Sequence, residues 1–255
     1  MPDPNKKKYK KNYLNHVICQ LTFVKTEVIS EEPLKLYKGS LGDDYAELAT
    51  IRQRGVIIES SGSQLKSRTE DSNLWQIESK DKTHTITITL KSFSITYRNY
   101  VKFRDYIEIV TKAQRLFFAQ FDDISIINRV GLRYVNQIKP PKLEKGWGQY
   151  IDGSLTASFD FVDSHMLRRS MHSMSIQHDD DTKVNFKYGL FNEYFPAPIV
   201  DDEFILDIDA YTDSPQKFED CRNLIQNFNK IIAIYFERSI TDELRNEMRV
   251  IEDAT

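Results

Sequence analysis

Apolar side chains recur along this chain at two periods, and the switches between them divide it into strands and helices. The longest alternating run, ISIINRVGLRYVNQI at residues 124–138, lies near the middle. Ile124, Ile126, Asn128, Val130, Leu132, Tyr134, Asn136 and Ile138 fall on one face, and Ser125, Ile127, Arg129, Gly131, Arg133, Val135 and Gln137 on the other. A period of two in residues rich in Ile, Val and Tyr predicts one long strand, with Gly131 as the natural place for a bend.

Before it, residues 13–26 alternate with Val17, Cys19, Leu21 and Phe23 inward, which predicts a strand. Residues 30–50 space Leu34, Tyr37, Leu41, Tyr45 and Leu48 helically, although Gly39 and Gly42 interrupt them. Residues 53–59 read as a strand, and the polar stretch 60–72 as a loop. Strands at 74–79, 84–90 and 93–97 with short connections predict antiparallel hairpins. A helix over 100–120 carries Phe103, Tyr106, Ile107, Val110, Phe117 and Phe121 as its stripe, with Asn99 as N-cap.

After the central run, the breaker-rich KPPKLEKGWG leads to expected strands at 150–162, 171–178, 183–191 and 203–211. The second and third of these are joined by the acidic turn DDDT. The last element is a long helix started by Ser214 and Pro215, with a second start signal, SITD, at 239–242. Its apolar residues spread beyond one stripe, which predicts either packing against the other helix or a dimer interface.

The first half thus runs strand, helical segment, four strands, helix; the second runs strand, connection, four strands, long helix. That order predicts an α+β fold of antiparallel sheets, each covered by a long helix, in two pseudo-duplicated halves at 13–123 and 124–255. This element order resembles the TATA-box-binding-protein-like or helix-grip arrangement, a likeness of fold that carries no function. The long central strand favours joining both halves into one curved sheet. Residues 1–12, MPDPNKKKYKKN, read as a flexible basic arm.

Composition narrows the function classes. The 255 residues carry a formal net charge of −3, so nothing draws the whole chain to nucleic acid or to an anionic membrane. No apolar run reaches a membrane span and the N-terminus lacks a signal-peptide core. Cys19 and Cys221 make neither a disulfide framework nor a metal knuckle, and both sit in apolar patterns; the expected setting is a reducing cytoplasm. Only nine glycines argue against phosphate-cradling loops, and no nucleotide-loop, nucleophile-elbow or zinc-protease motif occurs. No cofactor is implied.

The candidate chemistry is therefore local. Arg129 and Arg133 share a strand face and form a candidate anion site; solvated arginines paired with carboxylates are the bland alternative. Asp207 and Asp209 share a face about 7 Å apart and form a candidate metal or acid–base pair. If the two faces meet, a salt-bridge network accounts for all four. His172 and His178 on one strand lie roughly 20 Å apart and cannot share a metal. Trp147, Tyr194 and Phe195 sit in breaker-rich stretches and form a candidate interface, or lids over the core.

Three segments, YLNHVICQLTF, RVGLRYVNQI and FNKIIAIYFERSITDELRNEM, together resemble a sporadically distributed, uncharacterised bacterial protein family of about this length. The resemblance covers nearly the whole chain and transfers no catalytic residue. The patchy distribution it implies points to a defence or toxin-linked setting. On these grounds the expected function is a cytoplasmic binding module with a protein partner or a second copy. The alternative is an enzyme acting on a phosphorylated or nucleotide substrate; nucleic-acid binding through the lysine arm is weaker than either.

Overall fold

In a computed structural model of the chain, which describes residues 8–24, 29–61, 64–98, 100–141, 143, 146–200 and 203–251, the central alternating run forms strand β7 (Ile127–Ile138). It pairs antiparallel with β2 (Leu14–Phe23) on one side and β10 (Phe204–Thr212) on the other. Outward from β2 follow β6 (Ser92–Tyr97), β5 (His84–Thr89), β4 (Gln64–Glu78) and β3 (Ala49–Ser61). Outward from β10 follow β9 (Lys183–Leu190) and β8 (Ser170–Gln177). The result is one nine-stranded antiparallel sheet, and the two expected halves join where β2 meets β7.

One face of the sheet is covered by α1 (Glu31–Leu41), α2 (Phe103–Phe118) and α4 (Cys221–Ser239). The alternation explains which face. Val17, Cys19 and Leu21 on β2, Val130 and Leu132 on β7, and Leu206, Ile208 and Ala210 on β10 are buried together under the helices. The Phe117 ring of α2 stacks 4.5 Å from Phe121 and lies 4.7 Å from Phe93 and 5.7 Å from Tyr37. Such ring pairs add about 0.5–1.5 kcal/mol each to the area they bury. α1 docks on α2 through the Tyr37 hydroxyl, which donates to the Ala113 carbonyl at 3.3 Å.

Several expectations need correction. The expected loop at 60–72 is mostly the β3–β4 hairpin, paired from Ala49↔Gln76 to Ser61↔Gln64. The expected strand at 150–162 is instead a 3₁₀ turn and α3 (Gly153–Thr156), because Asp152 accepts from the Ser154 backbone N–H at 3.0 Å and starts a helical turn. Gly131 does not bend β7; the register shifts fall at Leu14/His16 and Thr22/Phe23, and the second turns Ile127 inward and Asn128 outward.

Ser214 and Pro215 do not start the last helix. Gln216 first pairs with Ile127 in an isolated bridge, and α4 begins at Cys221. Asn99 lies outside the described residues, and α2 begins at Phe103. SITD does mark a break: Ile240 bridges to Ile151, and Thr241 caps α5 (Asp242–Met248). The end of the basic arm is docked, because β1 (Lys8–Tyr9) pairs with β11 (Val250–Ile251) and Lys11 forms a 2.6 Å ion pair with Glu247.

The surplus apolar face of α4 is absorbed within the chain. Phe118 and Phe218 meet at 4.9 Å, α2 and α4 are bridged by Arg222–Glu108, and none of the exposed large apolar side chains belongs to α4. The dimer expected through this helix therefore loses its basis. Among the described residues, no helix is long and apolar enough to cross a membrane.

Candidate functional site

The helix-free face of the sheet carries the four charged candidates, and the register brings them together. Asp209 lies directly across from Arg133, and Tyr211 from Gly131. Arg129 reaches along the strand over Gly131, where any side chain would meet its guanidinium, and donates to both Asp209 oxygens at 2.9 and 3.0 Å. Its guanidinium also stacks 4.5 Å from the Tyr211 ring. Arg133 makes a two-pronged contact with Asp207, Nε at 2.7 Å and Nη2 at 2.6 Å. Each arginine is thus committed to one aspartate, and the charges cancel across the β7–β10 pair. The arrangement is the salt-bridge network, with neither an open anion cradle nor a free carboxylate pair. Among the described residues, no group of three His, Cys, Asp or Glu could hold a metal ion.

The interface candidates separate. Trp147 is buried, its ring 5.3 Å from Phe204, and belongs to the core. Tyr194 and Phe195 are exposed, and Arg169 lies over the Phe195 and Phe191 rings at 5.9 and 5.5 Å. The loop is held by Asn192, whose side-chain amide donates to the carbonyls of Arg168 (3.0 Å) and Ala197 (2.7 Å). Among the described residues, nine of the fourteen exposed large apolar ones fall between Phe161 and Val200, in β8 or in the segments around the β8–β9 pair, so the exposure is concentrated at one corner. The histidines do not converge. His172 stacks on Tyr188 at 5.0 Å, and His178 contacts the Tyr235 hydroxyl at 3.2 Å. In the DDDT turn, Asp179 accepts from the backbone N–H groups of Asp181 and Thr182, which is turn chemistry.

A third site was not singled out from the sequence. α1 ends at Gly42, whose φ of 90° turns the chain back and lays Tyr45 against Ser79 in an isolated bridge. Between this turn, the Ser79–Thr83 connection and α2 lies a cavity of about 360 Å³ lined by Leu41, Asp44, Tyr45, Ser79, Lys80, Asp81, His84, Ile109, Lys112 and Ala113. Its back wall is a chain of hydrogen bonds. The Thr83 hydroxyl donates to Asp81 at 2.8 Å, Thr83 Oγ1 is 2.9 Å from His84 Nδ1, and His84 Nε2 is 2.8 Å from the Tyr45 hydroxyl. The imidazole stacks on the Tyr97 ring at 5.4 Å and meets the Tyr45 ring edge-on at 5.3 Å.

Charges along this chain follow from its surroundings. Hydrogen bonds from Ser79 and Thr83 hold the Asp81 carboxyl down at about 2. Burial lowers the His84 pKa and, with Asp44 and Asp81 nearby, pushes the Tyr45 phenol up to about 12. The proton positions are then determined. Asp81 only accepts, so the single Thr83 proton goes to it and Thr83 accepts from His84 Nδ1–H. Neutral His84 accepts the Tyr45 proton at Nε2, and the phenol oxygen keeps its lone pairs for the cavity. The local signal was present in Asp81-Lys82-Thr83-His84, an aspartate able to cap its own turn beside a strand histidine. Its partner Tyr45 is 39 positions away, and no period links the two. In searches against known proteins, no family model and no curated protein matches this chain.

Proposed function

We propose that the protein is a binding module that pairs a second copy of itself along the free edge of β8. The observation that carries this reading is the edge itself. β8, SMHSMSIQ, ends the sheet with no charged residue and no proline, the usual guards of an exposed edge. The opposite edge, β3, contains Arg52, Arg54 and Glu59. Among the residues whose exposure is described, the exposed apolar ones are concentrated around β8.

The sequence around the edge favours a second copy over an unrelated strand. Antiparallel pairing about Met174 sets Met174 against itself and His172 against Ile176. It also brings Arg169 opposite Asp179 and Arg168 opposite Asp180, basic end to acidic end in both directions. Such an isologous contact closes as a two-fold dimer. The alternative reading, an enzyme binding a phosphorylated or nucleotide substrate through Arg129 and Arg133, has those donors already taken by Asp209 and Asp207.

Light scattering at micromolar concentration tests the proposal. The wild type is expected to be a dimer that weakens with salt, and Met174→Lys a folded monomer. A wild-type monomer, or a dimer indifferent to Met174→Lys, overturns it.

The same reading takes the halves as one repeated plan of helix-grip type. β2, β6, β5, β4 and β7, β10, β9, β8 follow the same order outward from the junction. Superposing the halves on those strands tests this, and long helices crossing them in opposite senses would sink it. Two buried thiols, both with pKa raised by burial, fit a reducing cytoplasm.

A further inference from the structure

We propose that the cavity in front of His84 and Tyr45 binds a small zwitterion with an apolar body, of free amino-acid type. This inference lies in the other half of the chain and does not rest on the β8 reading. Three features of the lining point the same way. Charged groups of both signs stand at the mouth, Asp44 and Asp81 with Lys80 and Lys112, so a ligand bearing one sign alone would leave either Asp44 or the two lysines unanswered. The remaining wall is apolar, formed by Leu41, Ile109 and Ala113. The volume of about 360 Å³ suits a small metabolite and is at the lower end for ligand sites.

The relay supplies the orientation. Asp81 fixes Thr83, Thr83 fixes the His84 tautomer, and His84 Nε2 accepts the hydrogen bond from the Tyr45 hydroxyl, which leaves the Tyr45 oxygen free to accept from a donor in the cavity. An ammonium group donates to that oxygen and to Asp44. The carboxylate on the same α-carbon meets Lys80 and Lys112, and an aliphatic side chain lies on Ile109. Every member of the relay is held by packing or by a second hydrogen bond, as a preorganised recognition group requires. Asp81 is committed to its own turn, so Asp44 is the carboxylate left for the ligand.

Three probes separate the possibilities: L-leucine, 4-methylpentanoate, which lacks the amine, and 3-methylbutylamine, which lacks the carboxylate. Titration of the full chain, followed by calorimetry and by NMR of the His84 ring, is expected to show leucine binding. Each singly charged analogue should bind at least about tenfold more weakly, the effect of losing one charged hydrogen-bonded group in a partly enclosed site. Tyr45→Phe, which keeps the ring, is expected to weaken leucine by a similar factor. Should Tyr45→Phe fail to fold, Lys112→Met on the exposed side of α2 takes its place, weakening leucine and leaving 3-methylbutylamine unchanged. No binding of L-leucine, L-methionine or L-phenylalanine to the wild type overturns the inference. Equal binding of 4-methylpentanoate and leucine also overturns it, since the site would then read a carboxylate alone.

Discussion

The two wings of the sheet start alike at the β2–β7 junction and end differently. On the first wing, β4 buries Leu74, Trp75 and Ile77, whereas on the second its counterpart β8 buries no residue. The cause is the cover. The first wing receives α1, whose Leu34, Tyr37 and Leu41 are buried against the sheet and α2. At the matching place in the second half stands α3, four residues long, followed by 3₁₀ turns with no buried residue between Ala157 and Phe161. A helix of three turns closes a sheet end; one turn cannot. Here the difference converts one wing into core with a cavity at its rim, and leaves the other as an accessible edge.

The largest expected effect attacks the covered wing. Phe117→Ala removes the ring shared by Tyr37, Phe93 and Phe121 and should cost about 3–5 kcal/mol in urea unfolding. Phe195→Ala on the open wing should stay within about 0.5 kcal/mol. Equal losses would end the contrast.

A smaller effect should separate the wings locally. Gly189 on β9 has a φ of 138°, and a Cβ there would lie 2.0 Å from the Ser170 carbonyl oxygen of β8. Gly189→Ala should cost about 1–3 kcal/mol. Its signature is faster amide exchange in β8, with β5 protected as before. Uniformly faster exchange across both wings would mean that they unfold as one unit.

The smallest effect is a pH dependence of the covered wing. Burial lowers the His84 pKa below its ordinary value of 6.5, so the unfolded chain binds the proton more strongly. Stability is full above that value, declines as pH falls towards the folded pKa, and is flat below it. His16, lowered by burial and by Arg98 and Arg133, acts in the same direction. Asp81, held at about 2, contributes stability that is lost only at more acid pH, below the ordinary carboxylate value of 3.8. Denaturant titrations from about pH 7 to about pH 5 should therefore show a decline that His84→Gln reduces. An unchanged slope in that variant would remove His84 as the cause.

Local pattern determined much of this molecule on its own. Alternation in residues 127–138 placed Val130, Leu132 and Ile138 inward and both arginines outward, because side chains on a strand alternate whatever surrounds them. The stripe of α2, the break at Ile240 and the first part of the helical segment expected at 30–50 were legible for the same reason, each being decided within a few residues; that segment stops at Leu41, and Tyr45 and Leu48 lie beyond it. Tertiary structure decided the rest. Residues 150–162 alternate like a strand, yet no neighbouring edge received them, and the Asp152 turn prevailed. Arg129 and Arg133 looked like an anion site until β10 paired in a register that set Asp209 and Asp207 against them. Trp147 became core because Phe204 came to lie beside it. The Tyr45–His84 contact joins residues from α1's exit and a hairpin tip, and only the pairing of Tyr45 with Ser79 brings them together. Strand and helix periods are properties of the backbone and can be read along the chain; which groups meet across elements depends on register and on helix length, and these exist only once the sheet has formed.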